Sequence, residues 1–200
     1  IGVNVSGVTI GVDVPFSIVK VGSDLTIQAT KVLVHATGLI DGRGGGLQWK
    51  GAIANSAGKG GSHGGMGNEN VKEWDASYGH GYYKHPTSFG TGGGGQYGGG
   101  GGGILTVNVD HLQIEGTITC SGEASIGSNS GGGSGGSVTL RVKKTFIGGG
   151  SAVSRGGDST YGGGGGGGRM TIAALVPPEF TFHGVLDACG GFGVSSAHGS

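Results

Sequence analysis

Tyr161-Gly162-Gly163-Gly164-Gly165-Gly166-Gly167-Gly168-Arg169-Met170-Thr171-Ile172 is a run of seven glycines that leads directly into an apolar segment of β-strand character. Two earlier stretches have the same form. Glycine tract 98–103 precedes Ile104-Leu105-Thr106-Val107-Asn108-Val109, and the serine-interrupted tract 131–136 precedes Ser137-Val138-Thr139-Leu140-Arg141-Val142. The tracts end at positions 103, 136 and 168, which gives spacings of 33 and then 32 residues. This recurrence predicts a repeated structural unit.

The glycine tracts have two interpretations. Each glycine costs about 0.5–1 kcal/mol relative to Ala inside a regular element, so ordering three tracts costs as much as the whole net stability of a typical domain. The tracts are therefore either flexible linkers or ordered segments whose neighbours approach too closely for any Cβ atom. Linkers have no reason to recur at a fixed spacing before apolar strands, so the recurrence favours ordered tracts.

An ordered glycine tract can adopt an extended, threefold form similar to polyproline II, which has no internal hydrogen bonds. Its N–H and C=O groups must then be satisfied by neighbouring segments. We expect the tracts of successive repeats to lie side by side and to form a layer with almost no side chains. The glycines predicted for this structural layer are Gly98, Gly99, Gly100, Gly101, Gly102, Gly103, Gly131, Gly132, Gly133, Gly135, Gly136, Gly162, Gly163, Gly164, Gly165, Gly166, Gly167 and Gly168.

Short apolar segments with small residues at their ends lie between the tracts. One copy reads Leu105-Thr106-Val107-Asn108-Val109, Leu112-Gln113-Ile114 and Gly116-Thr117-Ile118-Thr119-Cys120, and similar copies begin at Leu25, Val138 and Met170. No segment has helical periodicity. The pattern predicts an all-β, right-handed parallel β-solenoid (β-helix). Its coils of about 33 residues would each have three short strands, with the glycine tracts stacked on one side.

The predicted domain organisation has three parts. Residues 1–24 alternate apolar with polar or small residues and lack glycine tracts, which indicates a strand-rich N-terminal cap. Residues 25–200 form the glycine-rich solenoid, interrupted by one long insert at 47–97. The chain begins at Ile1 rather than Met, from which we expect a processed protein or a fragment.

Composition excludes several classes of protein. The 200-residue chain contains 54 glycines but four prolines and has no Gly-X-Y period, which excludes collagen. Its 12 Lys and Arg residues balance 12 Asp and Glu residues, so we expect neither nucleic acid nor an anionic membrane as a partner. No apolar run approaches the roughly 20 residues of a membrane helix, and we expect no membrane insertion.

Two cysteines and one sequon are the candidate covalent features. Cys120 and Cys189 do not make a disulfide framework, and two interpretations stay open: small buried residues in strands, or a bridge across two repeats. Asn4-Val5-Ser6 fits a glycosylation sequon, so Asn4 is a possible glycosylation site.

The insert gathers chemistry that the repeats lack. It holds both tryptophans, Trp49 and Trp74, and four of the five tyrosines. Long loops in compact folds are often functional. Its aromatic residues could fold it over the glycine layer, or they could stack on sugar rings while polar groups hydrogen-bond the hydroxyls. The residues of this possible ligand site are Trp74, Asp75, Tyr78, His80, Tyr82, Tyr83 and His85.

A metal centre and a hydrolase site are the enzymatic alternatives. His63, His80 and His85 could bind a metal with Asp75, but their spacing fits no standard ligand motif, and histidines that hydrogen-bond within a loop explain them better. Ile40-Asp41-Gly42-Arg43-Gly44 is similar to a stretch of the polygalacturonases, which hydrolyse pectin with grouped carboxylates. The aspartates of this chain are scattered, so an Asp-Gly turn explains Asp41 more simply. We expect no catalytic residue, no metal, no cofactor and no enzymatic activity.

The repeated segments also resemble a family. Gly-Thr-Ile-x-x-Ser-Gly, Gly-Gly-Gly-Ser-Gly-Gly-Ser-Val and the seven-glycine run before Arg-Met-Thr-Ile resemble the glycine-rich β-helical modules of large secreted or surface proteins, over residues 25–46 and 92–191. Ordered polyglycine also occurs in phage tail-fibre adhesins and in springtail antifreeze proteins, whose spacing differs. The resemblance implies a secreted, extracellular or cell-surface protein and an adhesion-like or structural role.

From these features we expect an extracellular structural protein, a stiff building block that self-assembles into a filament or surface layer. Open strand edges at the ends favour pairing with another copy, and hence a homo-oligomer or filament. The alternative is an adhesin module that binds surface glycans through the aromatic insert. An ice-binding protein is a further alternative, although the sequence lacks a Thr-x-Thr ladder, and a pectin-type hydrolase or lyase is another.

Overall fold

The computed structural model describes residues 3–4, 10–11, 18–47, 58–65, 67, 86–174 and 179–193. The strands within these ranges occupy three long segments and nine shorter ones. They are Val3–Asn4 (β1), Ile10–Gly11 (β2), Ile18–Lys20 (β3), Asp24–Val34 (β4), Leu39–Asp41 (β5), Ile104–Ile114 (β6), Thr117–Thr119 (β7), Ser137–Gly148 (β8), Ser151–Val153 (β9), Arg169–Ala174 (β10), Glu179–Phe182 (β11) and Val185–Asp187 (β12).

The strands form two parallel sheets. The seven-stranded sheet has the order β1-β4-β6-β8-β10, with β2 paired to β4 and β11 paired to β8. The five-stranded sheet has the order β12-β9-β7-β5-β3. Neighbouring strands come from successive sequence repeats, so Leu105 pairs with both Leu25 and Val138. Residues at equivalent positions of successive sequence repeats are therefore paired in the sheets.

The three long strands form because the sequence offers no break within them. Neither glycine nor proline occurs between Asp24 and Val34, and β-branched residues, which favour extended backbone, recur along the segment. The pairing of β6 with β8 shifts register between Val109 and His111. At this irregularity the carboxylate of Asp110 lies 3.3 Å from the Lys143 ammonium and 3.0 Å from that of Lys144.

The hydrophobic core draws on both sheets. Val107 and Leu140 of the seven-stranded sheet and Ile118 and Ala152 of the five-stranded sheet belong to one cluster and are fully buried. Phe146 is the largest fully buried side chain, and its ring stacks on Phe182 with centroids 4.6 Å apart. The alternating apolar positions of each repeat thus supply one rung of a common core.

The structure corrects the predicted fold. The right-handed parallel β-solenoid with three short strands per coil and glycine tracts stacked on one side is wrong, because the described residues form two mostly parallel sheets of seven and five strands. The first two predicted strands of a copy are one continuous strand, as in Asp24–Val34 and Ile104–Ile114. The glycine tracts lie outside the strands, and other segments surround the middle tract on several sides.

Candidate functional site

Glycine tract 131–136 lies at the centre of a hydrogen-bonded bundle. Its N–H groups point in three directions, and each direction recurs every third residue. Gly131 and Ser134 donate to the carbonyls of Gly94 and Thr91, at 2.8 and 2.9 Å. Gly132 and Gly135 donate to Gly163 and Gly166, both at 3.0 Å, and Gly133 and Gly136 donate to Glu123 and Cys120, at 3.0 and 2.7 Å. Three neighbouring segments therefore accept all six amide protons.

The carbonyl groups of the same tract have three further neighbours. Those of Gly131 and Ser134 accept from the Gly99 and Gly102 amides. Those of Gly132 and Gly135 accept from the Gly61 amide at 2.8 Å and from the Nδ1–H of His63 at 2.9 Å. Those of Gly133 and Gly136 accept from the Gly157 amide and from the Ser154 hydroxyl. We call tract 131–136 and its six neighbours, 61–63, 91–94, 99–102, 120–123, 154–157 and 163–166, the glycine bundle.

The threefold repeat of the hydrogen bonds explains why this bundle needs glycine. A polyproline II-like chain has three residues per turn and no internal hydrogen bonds, so every backbone group points outward to a neighbour. Six neighbours at backbone contact leave no room for a side chain at the five glycines of the tract. A Cβ atom on Gly133 would overlap the carbonyl of Gly100, and one on Gly165 would overlap the carbonyl of Gly133. The recurring glycines are therefore a packing requirement.

Two segments of the predicted insert belong to the bundle. Residues 61–63 and 91–94 lie within 47–97, and their backbones contact the middle tract as closely as the other tracts do. Two hydroxyls that sequence reasoning missed, those of Ser134 and Thr91, connect them. The Ser134 hydroxyl accepts from the Thr91 amide at 2.8 Å, and the Thr91 hydroxyl accepts from the Ser62 amide and donates to the Ser62 carbonyl. Single Ser or Thr residues within glycine-rich sequence were the available signal.

His63 is part of the bundle. Its side chain is fully buried, and its Nδ1–H donates to the Gly135 carbonyl. The other members of the metal-site hypothesis, Asp75, His80 and His85, lie outside the described residues. Among the residues that are described, no group of three His, Cys, Asp or Glu side chains is arranged to hold a metal ion.

Asp41 holds a loop rather than presenting a carboxylate to a substrate. Its buried Oδ1 accepts from the backbone N–H of Arg43 at 3.1 Å and from Arg43 Nε at 2.8 Å, and Oδ2 lies 2.6 Å from Lys20 Nζ. The side-chain hydrogen bonds from Arg43, followed by that from Lys20, hold the pKa of Asp41 well below its ordinary value, although burial opposes this. The segment that is similar to polygalacturonases therefore contains a paired, structural carboxylate.

Both cysteines are free thiols. Cys120 is fully buried in the core cluster, and burial raises the pKa of its thiol to about 12. Cys189 is exposed, and its hydrogen bond to Asp187 raises its thiol pKa. The interpretation as a bridge across two repeats is therefore not the arrangement found.

A groove of about 670 Å³ lies beside the bundle. Lys20 and Arg43 line one part of it, and both keep exposed side chains although they also bind Asp41. Gln96, Tyr97 and Glu123 line the remainder, together with Ile126, which is exposed. The Tyr97 ring packs on Gly127, where a Cβ atom would overlap it. The groove thus combines a half-exposed aromatic ring with cationic, amide and carboxylate groups.

Comparison with known proteins adds no relative. No family model, curated protein or solved structure matches this chain. Across the described ranges, no helix has the length and apolar character needed to cross a membrane.

The remaining predicted site residues lie outside the described ranges. These are Trp74, Asp75, Tyr78, His80, Tyr82, Tyr83 and His85, and the ligand site that they would form stays a prediction. Asn4 is placed by its backbone only, in β1. The groove is a site that sequence reasoning did not find, because Lys20, Arg43 and Tyr97 are far apart in the chain and share no motif.

Proposed function

We propose that this chain is an extracellular structural protein, a stiff module that assembles with further copies into a filament or surface layer. The glycine bundle supports stiffness, since backbone hydrogen bonds hold its central tract to six neighbouring segments. A segment held in this way cannot bend without breaking bonds on several sides. No catalytic residues are assigned, and the paired state of Asp41 favours a structural role for that part of the chain.

An apolar column of the seven-stranded sheet has an exposed side chain at one end, and this observation supports the proposal most directly. Val32, Leu112, Phe146 and Phe180 stand in one column of the seven-stranded sheet. Phe146 is 1% exposed, whereas Phe180, on the last strand of the column, is 52% exposed. Open parallel edges that keep their apolar residues are surfaces on which a further strand can pair. An edge of this kind would allow the module to pair with a further copy.

Size-exclusion chromatography with light scattering, followed by negative-stain electron microscopy, tests this proposal. We expect assemblies of uniform width whose length grows with protein concentration, because the outer strands of the five-stranded sheet each pair with only one strand among the described residues. A single monomeric species at every concentration would overturn the structural proposal and favour a binding function for the groove.

A binding module for carbohydrate is the second candidate, and the groove favours it. Sugar rings stack on aromatic side chains, while charged and amide groups fix the hydroxyls. Tyr97 supplies the ring, and Arg43 keeps donors beyond the two that bind Asp41. Cationic Lys20 and Arg43 favour an acidic saccharide.

A Tyr97→Ala variant tests the second candidate. We expect a loss of binding to acidic oligosaccharides of about fivefold or more, since one aromatic contact contributes on the order of 1 kcal/mol. Tyr161→Ala is the matched control, because Tyr161 is exposed and does not line the groove. Equal binding by the two variants on a glycan array would remove the groove from consideration.

A further inference from the structure

We propose that a second copy of this chain docks head to tail, with its β3 added to β12 of the first copy as the next strand of the five-stranded sheet. This inference rests on the proposed assembly function and names the surfaces through which it occurs. Among the described residues, strands β3 and β12 are the two outer strands of that sheet, and every pairing inside the sheet is parallel. Adding β3 to β12 continues the same parallel order.

The internal register fixes which residues would meet. Ile18, Leu39, Thr117, Ser151 and Val185 stand in one column of the sheet. The neighbouring columns run from Val19 to Leu186 and from Lys20 to Asp187. Continuing the register across the junction pairs Val185 with Ile18 of the second copy, Leu186 with its Val19 and Asp187 with its Lys20.

Each of these pairs is chemically complementary. Val185 and Ile18 are both 58% exposed, so pairing them removes two apolar side chains from water. Leu186 would meet Val19, which already packs against the core of its own copy. Asp187 is acidic, and the Lys20 ammonium is largely exposed although it binds Asp41. An unrelated pair of edges has no reason to match in polarity at three successive positions.

Backbone groups at the end of β12 point to the same partner. Inside the sheet, each pair of neighbouring strands shares one further hydrogen bond at its C-terminal end. The amide of the residue that follows one strand donates to the carbonyl of the last residue of the neighbouring strand. Examples are Cys120 N–H to Val153 C=O at 2.9 Å and Ser154 N–H to Asp187 C=O at 2.7 Å. Ala188 occupies the equivalent position after β12, and its amide has no hydrogen-bond partner among the described residues. The Lys20 carbonyl of a second copy would accept from it.

The seven-stranded sheet supports the same junction. Its register runs from Ile10 through Val32, Leu112 and Phe146 to Phe180, so β2 of the second copy would stand next to β11 and cover the exposed Phe180. Because the two contacting surfaces differ, the contact is heterologous, and it generates an open filament when the rotation between copies does not close a ring.

Disulfide cross-linking tests the junction in a Cys189→Ser background. Paired parallel strands lie about 4.8 Å apart, within the roughly 4.4–6.8 Å between Cα atoms that a disulfide requires. We expect Ile18→Cys combined with Val185→Cys to give covalent oligomers on oxidation that dithiothreitol reverses. Each single substitution should give none. Ile18→Cys combined with Ile126→Cys is the matched control, because Ile126 is apolar and more exposed than Val185, and the groove that it lines contains no residue of β12.

A charged variant gives a second readout. Val185→Glu should abolish the assembled peak in chromatography while leaving the melting temperature of the module unchanged, because Val185 is exposed within one copy. Ile126→Glu should leave the assembled peak in place. If the wild-type protein assembles but the Ile18/Val185 pair cross-links no better than the Ile18/Ile126 pair, this junction is wrong and the structural function stands. If the wild-type protein does not assemble, both the proposed junction and the proposed structural function are wrong.

Discussion

Gly165→Ala should destabilise the protein strongly although it adds one methyl group. A Cβ atom on Gly165 would overlap the carbonyl of Gly133 in the central tract of the bundle, and backbone on both sides prevents either segment from moving aside. Overpacking a well-packed interior commonly costs about 1–3 kcal/mol, and a contact with fixed backbone belongs at or above the top of that range. Thermal unfolding followed by circular dichroism measures the effect, with an expected fall of roughly 10 °C.

Gly22→Ala is the matched control, and its expected effect has the opposite sign. Nothing lies within 4 Å of the position that a Cβ atom would take on Gly22. Replacing an unstrained glycine by alanine reduces the freedom of the unfolded chain and stabilises by about 0.4–1 kcal/mol. Equal melting temperatures for the two variants would show that tract 162–168 is not packed against its neighbours.

Asp41→Asn should lower the free energy of unfolding by about 2 kcal/mol at neutral pH, since hydrogen bonds to charged groups are stronger than neutral ones. The substitution weakens the interactions with Arg43 and Lys20, which fasten the loop after β5 to β3. Urea unfolding of the two proteins measures the difference. Asp110→Asn is the control, because Asp110 also meets two cations but on the surface, where such pairs contribute little.

The same difference should depend on pH. The folded-state pKa of Asp41 is lowered, chiefly by Arg43, so the unfolded state binds more protons in acid. Stability from this group is fully present well above the unfolded-state pKa of about 3.9, and it is lost progressively as the pH falls from about 5 toward the folded-state pKa. The difference between wild type and Asp41→Asn should therefore shrink between about pH 5 and pH 3. A constant difference over this interval would contradict the role assigned to Asp41.

The sequence predicted the positions of the apolar strands better than it predicted the neighbours of the glycine tracts. Alternation of apolar residues located segments that lie in strands, such as Leu105–Val109 within Ile104–Ile114. It did not show that Val109 and Leu112 belong to one strand, because Asp110 and His111 resemble a corner in composition while the register shift beside them keeps the strand continuous. The prediction of three short strands per repeat was wrong partly for this reason.

The neighbours of a glycine tract cannot be read from the tract itself. Regular spacing indicated that the tracts are ordered, but glycine has no side chain whose pattern identifies a contacting face. Segments 61–63 and 91–94 were assigned to a loop insert because residues 47–97 interrupt the repeated pattern, yet their backbones belong to the bundle. The groove was invisible for a related reason, since its charged and aromatic residues come from separate segments.

Amide hydrogen exchange of the central tract is the most direct test of the glycine bundle. The amides of Gly132 and Gly135 donate to Gly163 and Gly166 in the interior, whereas the Gly149 amide donates to the carboxylate of Glu115 at the surface. We predict that Gly132 and Gly135 exchange as slowly as the amides of β8, through unfolding of the whole module, while Gly149 exchanges quickly. Exchange of Gly132 and Gly135 at the rate of an unstructured peptide would show that the tracts are linkers and would contradict the bundle.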